Sequence, residues 1–109
     1  MSKLAERSCR ELPAGTSPLT QTQINAGLAQ LPGWEHKDGA IGKIFSFRNY
    51  AETMAFVNGV AWIAEREDHH PDISVGYDRC RVAYSTHSVG GISDKDFICA
   101  AKIEALCRI

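Results

Sequence analysis

Hydrophobic positions follow a helical period over residues 20–31 and a strand period immediately afterwards. Thr20-Gln21-Thr22-Gln23 fits a capping box, which places the start of a helix at Thr20. Apolar residues then recur at i, i+4 and i+7 and form one helix face: Ile24, Leu28 and Leu31. Pro32-Gly33 ends this predicted helix.

The first predicted hairpin follows directly. Trp34 opens a short strand, and Lys37-Asp38-Gly39 supplies the turn. The returning strand is Ile41-Gly42-Lys43-Ile44-Phe45-Ser46-Phe47, and the period of two puts Phe45 and Phe47 on the same face of the sheet.

A long helix is predicted from Tyr50 to about Asp68. Its apolar residues fall into two adjacent rows, together wide enough to lie on a sheet. Pro71 disfavours helical geometry at His70, so the helix is expected to end near His69. The first row is Met54, Val57, Ala61 and Ala64, and the second is Phe56, Val60 and Ile63.

Alternating residues predict a second hairpin and a last helix. The tight connection of this hairpin is Asp78-Arg79, and Gly90-Gly91 breaks the chain after it. Ser93-Asp94-Lys95-Asp96 fits a second capping box, which begins the final helix. The strand positions are Ile73, Val75 and Tyr77, then Cys80, Val82 and Tyr84; the buried helix positions are Cys99, Ile103 and Leu106.

The element order is therefore α-β-β-α-β-β-α. Hairpins separated by helices predict an α+β, two-layer fold, with a four-stranded antiparallel sheet and three helices on one face. Residues 1–18 show no clear period and are expected to be an extended N-terminal arm, and residues 19–109 a single domain.

Composition narrows the function classes. The chain has 109 residues, 44% hydrophobic and 23% charged, with a net charge of -1, so it suits one globular domain and shows no basic stripe for nucleic acid. No apolar run is long enough to span a bilayer, and the charged first residues lack the apolar segment of a secretory signal. We therefore expect a cytoplasmic protein with four reduced cysteines. Because a domain of this size has a thin core, a homo-oligomer is also expected.

Three of the four histidines fall at the ends of predicted elements, where a rigid element can aim a side chain at a substrate. His69 and His70 end the long helix, and His87 ends the fourth strand. Glu65 lies four residues before His69, so its carboxylate can share a helix face with that imidazole and orient it. Each histidine taken singly fits a surface residue or a helix C-terminal residue, but the three together favour a site. His36 is expected to be a solvated surface residue.

A metal site is the alternative reading of the same residues. The histidines with Asp68, Asp72 or Asp96 offer imidazole and carboxylate ligands. Adjacent histidines do not converge easily on one ion, however, and the i, i+4 spacing of helical histidine ligands is missing.

The ordered set of motifs resembles the pterin-4a-carbinolamine dehydratases over about residues 19–107. Ile73 departs from animal members, which tend to have an aromatic residue there. The matching stretches are Leu31-Pro32-Gly33-Trp34, Phe45 and Phe47, Glu65 to Pro71 in the form E-x-x-x-H-H-P, Ser85-Thr86-His87, and Gly91-Ile92-Ser93 with Asp96.

The resemblance implies the same fold, a dimer or tetramer, and a reaction without metal or cofactor. In that reaction, 4a-hydroxytetrahydropterin loses water to give quinonoid dihydropterin, which recycles the pterin of aromatic amino-acid hydroxylases. The implied roles are His69 and His87 as the acid–base pair, Glu65 to orient His69, His70 to bind the pterin, and Asp96 to complete the site. Pro71 is expected to be structural.

A non-catalytic binding module is the second hypothesis. Animal members of the family also act as dimerisation cofactors for a homeodomain transcription factor, and relatives of the fold assist the assembly of other complexes. Trp62 points away from the predicted core face of the long helix and is a candidate for such an interface. All three histidines are kept, however, which favours the enzyme.

Overall fold

The structure is a computed structural model that describes residues 2–107. Four strands and three longer helices follow the predicted order, with one short helix before them. The helices are α1 (Ser2–Glu6), α2 (Gln21–Leu28), α3 (Tyr50–Glu67) and α4 (Asp94–Leu106); the strands are β1 (Glu35–Lys37), β2 (Ala40–Ser46), β3 (Asp72–Val75) and β4 (Arg79–Tyr84).

All neighbouring strands of the sheet are antiparallel, in the order β1-β2-β4-β3. The central pair sets the register, with Ile41 opposite Tyr84 and Phe45 opposite Cys80. These four residues are buried on the face that the helices cover, whereas Ile44 on the other face is 57% exposed. The α+β fold with helices on one face of a four-stranded sheet is therefore confirmed.

Aromatic side chains join the first hairpin to the long helix. Phe45 and Phe47 both lie against Phe56, with ring centroids 4.6 and 5.0 Å apart, as expected for two residues on one face of a strand. Val60, one turn further along α3, is fully buried. Burial of each such side chain stabilises the fold by about 1.5–3 kcal/mol. This packing fixes the orientation of α3, whose C-terminal end carries the histidine pair.

Both predicted capping boxes are present. The Thr20 hydroxyl accepts the Gln23 N–H at 3.2 Å, and the Gln23 side chain accepts the Thr20 N–H at 2.8 Å. Asp96 likewise accepts the Ser93 N–H at 2.9 Å. A third cap was not predicted: the Asn49 side chain accepts the Glu52 N–H at 2.8 Å and begins α3.

The structure differs from the expected elements at the N-terminal arm and at the third strand, among other places. The arm is not wholly extended, because Ser2–Glu6 forms the helix α1, whose Leu4 and Ala5 pack against the core. The third strand ends at Val75, before Tyr77, since the Gly76 N–H turns back to the Arg79 carbonyl at 2.7 Å. Tyr77 is consequently exposed rather than part of a strand.

Within residues 2–107, none of the helices has the length and apolarity that crossing a lipid bilayer would require.

Candidate active site

The chain reverses direction immediately after α3, and this reversal separates the two adjacent histidines. Asp68 caps the helix in the left-handed conformation, with φ 50°. The His69 N–H then returns to the Ala64 carbonyl at 3.0 Å. As a result the side chain of His69 is 9% exposed, whereas that of His70 is 55% exposed.

His69 points into the protein and meets Asp96 from the first turn of α4. Its Nε2 lies 2.6 Å from Asp96 Oδ1, and the Asp96 side chain is fully buried. An ionised carboxylate can only accept hydrogen bonds, so Nε2 carries the proton whenever Asp96 is ionised. The other ring nitrogen, Nδ1, is therefore the atom through which His69 can exchange a proton.

The second oxygen of Asp96 is held by two further donors. Oδ2 accepts the Ser93 N–H and the Thr86 hydroxyl, each at 2.9 Å. The Thr86 and Ser93 hydroxyls also lie 2.6 Å apart. Asp96 therefore acts as a helix cap and as the partner of His69 at once, and its position is fixed from the strand side and the helix side.

Tyr84 completes the surroundings of His69. Its ring stacks on the imidazole, with centroids 5.1 Å apart and planes 18° apart, and its hydroxyl donates to the His69 carbonyl at 3.3 Å. Burial, followed by the neighbouring Cys99 thiol, raises the pKa of Tyr84 well above its usual range, so its hydroxyl remains a donor.

The exposed histidine has its own carboxylate. His70 Nε2 lies 2.6 Å from Glu65 Oε2, and the Glu65 side chain is 78% exposed. The expectation that Glu65 orients His69 is therefore wrong in this structure. The i, i+4 geometry assumed a continuing helix, but the left-handed Asp68 turns His69 inward and brings His70 to the glutamate instead.

His87 is connected to the same network through the chain. It begins a short 3-10 turn, His87–Val89, rather than ending β4, which stops at Tyr84. The preceding residue, Thr86, pairs with Gly91 through backbone hydrogen bonds and donates to Asp96. His87 itself is exposed, and within residues 2–107 no hydrogen bond ties its ring to the other site residues.

Sequence reasoning gave no role to Thr86 and Tyr84. Tyr84 looked like an ordinary inward position of an alternating strand, and a lone threonine has no spacing that indicates a buried hydrogen bond. Thr86 does precede His87 in the T-H motif, which was the available signal. Both side chains are buried beside His69 and Asp96.

The other candidates from the sequence are a metal site and His36, which lies outside the hydrogen-bond network of His69 and Asp96. Over residues 2–107 no three His, Cys, Asp or Glu side chains are grouped as a metal ion would require. His36 lies in β1, partly buried, opposite Ile41. The end of α3 thus carries two carboxylate-supported imidazoles, which are suited to moving protons near neutral pH, and the exposed His87 directly follows Thr86 in the chain.

The chain is similar to proteins of one family. The family model described as pterin 4 alpha carbinolamine dehydratase matches residues 17–106. A protein of Nitrosospira multiformis, provisionally named a pterin-4-alpha-carbinolamine dehydratase, is 54% identical over 97% of this chain and 94% of its own. A protein of Nitrosomonas europaea with the same provisional name is 52% identical, over 96% and 94%.

Two solved structures have the same fold. The transcriptional coactivator/pterin dehydratase from Brucella melitensis superposes with a TM-score of 0.79 at 34% identity, over 83% of this chain and 98% of that one. A pterin dehydratase-like protein, described as a RuBisCO assembly factor in the alpha-carboxysome, gives 0.56 at 26% identity, over 67% and 84%. The match over most of the sequence and the high identity to its relatives show that this chain belongs to the pterin 4 alpha carbinolamine dehydratase family.

Proposed function

We propose that the protein is a 4a-hydroxytetrahydropterin dehydratase, which releases water to give quinonoid dihydropterin and so serves tetrahydrobiopterin recycling for aromatic amino-acid hydroxylases. The observation that carries the proposal is the pair of carboxylate–histidine contacts, His69–Asp96 and His70–Glu65, both at 2.6 Å, in a chain of this family.

The chemistry requires little beyond proton transfer. The leaving hydroxyl sits on a carbon next to a ring nitrogen, N5, whose lone pair can expel it. One proton must reach the departing oxygen and one must leave the ring nitrogen. Positioned acid–base groups typically accelerate such steps by about 10²–10⁴-fold, and histidine suits both directions near neutral pH.

His69 and His87 are the proposed acid–base pair. The carboxylate of Asp96 supports this role for His69, because it holds Nε2–H and leaves Nδ1 to exchange the proton. His87 is exposed and reaches solvent directly. His70 is proposed to bind the pterin, and its contact with Glu65 lets it share in proton transfer as well.

The test is the decay of freshly made 4a-hydroxytetrahydropterin, followed by stopped-flow absorbance without added cofactor. The protein is expected to speed the decay, and EDTA is expected to leave the rate unchanged. His36→Ala is the matched control, since His36 lies outside the network. A trace no faster than buffer overturns the proposed function, and loss of activity in EDTA overturns its metal-free form.

A homodimer or homotetramer is part of the same proposal. Among residues 2–107, no strand pairs with the outer edges of β1 and β3, and Ile44 on the face opposite Phe45 is exposed. Such edges and a thin core favour association of copies. Sedimentation equilibrium at micromolar concentration is expected to give a multiple of the 12.0 kDa chain mass, and the mass of one chain would contradict it.

A non-catalytic assembly role is the second candidate, and one surface favours it. Trp62 is 63% exposed, and Arg66 lies over its ring at 5.1 Å. A mostly apolar cavity of about 440 Å³ lies beside them, between α1, α3 and α4, away from the histidines. If this surface is the function, Trp62→Ala should abolish association with another protein while the stopped-flow rate stays at the buffer value.

A further inference from the structure

Two cysteines far apart in sequence meet where the N-terminal arm crosses α4. The Sγ atoms of Cys9 and Cys99 lie 3.6 Å apart, although 90 residues separate them along the chain. Cys99 is fully buried on α4, and Cys9 is partly exposed in the arm.

The arm is held in this place by one contact at Cys9 and another four residues before it. The Cys9 N–H donates to Glu67 Oε1 at 2.8 Å, and the Lys102 ammonium donates to the Ala5 carbonyl at 2.8 Å. These bonds tie the arm to α3 and α4. The thiol contact is therefore part of a defined packing arrangement rather than a chance approach of a free end.

Little movement separates this contact from a covalent bond. A disulfide has an S–S distance of about 2.05 Å, so the sulfurs have to approach by roughly 1.5 Å. Cys9 lies in a segment without regular secondary structure, between α1 and the turn at Pro13–Gly15. Rotation of its side chain and a small shift of the arm can supply that approach while α4 stays in place.

We propose that Cys9 and Cys99 form a redox-active pair, which a peroxide closes into a disulfide that clips the arm to α4. The Cys9 thiol gives up its proton and its sulfur attacks one peroxide oxygen, so that an S–O bond forms and the O–O bond breaks. The departing hydroxide takes the Cys9 proton and leaves as the first water. Cys99 then attacks the sulfur of the Cys9 sulfenic acid. The S–S bond forms, the S–O bond breaks, and the Cys99 proton leaves with the departing hydroxide as water. Two thiols and one hydrogen peroxide thus give one disulfide and two waters.

The two thiols differ in how readily each can react first with the peroxide. The hydrogen bond with Cys99 lowers the pKa of Cys9, helped by the charges of Lys95 and Lys102 and opposed by partial burial and the charge of Glu67. The same hydrogen bond and its burial raise the pKa of Cys99. Cys9, which is partly exposed and has the lowered pKa, is thus the thiol that reacts first, and Cys99 is the thiol that resolves the intermediate.

The other two cysteines, Cys80 and Cys107, serve as controls because they are not expected to form a disulfide. Cys80 is fully buried in β4, where burial raises the pKa of its thiol. Cys107 is exposed just after α4, and partial desolvation by its neighbours, followed by the charge of Glu104, raises its pKa. Since neither thiol contacts another within residues 2–107, oxidation of the folded chain should select Cys9 and Cys99.

The experiment compares the full-length reduced protein with the same protein treated with a small excess of hydrogen peroxide. Oxidation is expected to lower the free thiols from four to two and to give a Cys9–Cys99 linked peptide in the digest. A disulfide across 90 residues restrains the unfolded chain strongly, so the melting temperature should rise by roughly 10 °C and return with dithiothreitol.

Cys9→Ser and Cys107→Ser distinguish the outcomes. Cys9→Ser should fold like the reduced wild type, form no linked peptide and show no rise in melting temperature; Cys107→Ser should behave like the wild type. The proposal is overturned if the wild type keeps four free thiols after peroxide or if the digest links other cysteines. It is also overturned if peroxide raises the melting temperature of Cys9→Ser as much as that of the wild type. Because Cys9 lies in the arm, this readout does not depend on the proposed dehydratase activity.

Discussion

Two carboxylate–histidine pairs stand side by side at the end of α3, with the same 2.6 Å hydrogen bond and opposite surroundings. In the first, the His69 and Asp96 side chains are 9% and 0% exposed. In the second, the His70 and Glu65 side chains are 55% and 78% exposed. One left-handed residue, Asp68, separates them by sending consecutive side chains in opposite directions.

The difference shows how neighbouring residues of one type can take different tasks. Water screens the exposed pair, and such pairs typically contribute about 0–1 kcal/mol to stability. The buried pair is little screened, and breaking it leaves a polar partner without water. We therefore expect the buried pair to set both the stability and the geometry of the site, and the exposed pair to affect the reaction alone.

The largest effect is expected from His69→Ala. Turnover should fall by about 10²–10⁴-fold, as for loss of a positioned acid–base group. The free energy of unfolding should also fall, by about 1–3 kcal/mol or more, because Asp96 keeps its burial but loses a partner. Stopped-flow turnover and denaturant unfolding measure the two effects. The control His36→Ala should change neither, and a fully active His69→Ala would remove His69 from the site.

Thr86→Val tests whether the surroundings of the buried pair matter as much as the pair itself. Valine keeps the shape but removes the donor to Asp96 and the contact with the Ser93 hydroxyl. The free energy of unfolding should fall by about 1–3 kcal/mol. Turnover should fall on the order of tenfold to a hundredfold, since a small displacement of a catalytic group is costly. The network has no positioning role if turnover is unchanged while stability falls.

Local sequence patterns predicted much of the fold around these two pairs. The periodic hydrophobic segments predicted the buried faces of the helices and strands. Phe45, Val60 and Val82, for example, all face the core as their spacing predicted. Capping at Ser93 was predicted because the signal lies within four consecutive residues. Such local patterns are set mainly by neighbouring residues, which is why the sequence suffices for them.

The partners of the histidines could not be predicted in the same way. The choice of Glu65 for His70 depends on one left-handed residue at Asp68, and aspartate adopts that conformation only in some contexts. The His69–Asp96 contact spans 27 residues and requires the packing of α4 against α3. The three histidines and Glu65 were singled out by their positions at the ends of predicted elements, whereas their catalytic roles came from the family resemblance and remain predictions.

Glu65→Gln probes the exposed pair. Glutamine keeps the size of the side chain and removes the charge beside His70. Stability should stay within about 0.5 kcal/mol, as for most surface changes. The interaction of an exposed pair contributes about 0.2–1 kcal/mol, which corresponds to less than a tenfold change in rate. Turnover should therefore fall by only a few-fold. The same assays as for His69→Ala apply. A loss of stability as large as that of Thr86→Val would contradict the contrast between the two pairs.

The smallest effect is expected from a pair that contains no histidine, at the start of α3, where the Arg48 and Glu52 side chains are 87% and 32% exposed. The Arg48 side chain donates to Glu52 Oε2 at 2.7 Å, and the Arg48 N–H donates to Oε1 at 2.9 Å. These bonds, led by the one from the side chain, lower the pKa of Glu52. A lowered pKa means that the contribution to stability is complete above the ordinary glutamate value and disappears as the pH falls through the folded value.

Glu52→Gln should therefore lower the denaturant midpoint slightly at neutral pH, and by less below about pH 4, where the ordinary glutamate is protonated. Glutamine has nearly the shape of a protonated glutamate, so the two proteins should converge in acid. Urea unfolding at both pH values measures the difference. An equal difference at the two values would mean that helix packing, and not charge, sets the effect of this position. The difference in denaturant midpoint at neutral pH can also be compared with the effect of Glu65→Gln, because the His70–Glu65 pair lies at the other end of the same helix.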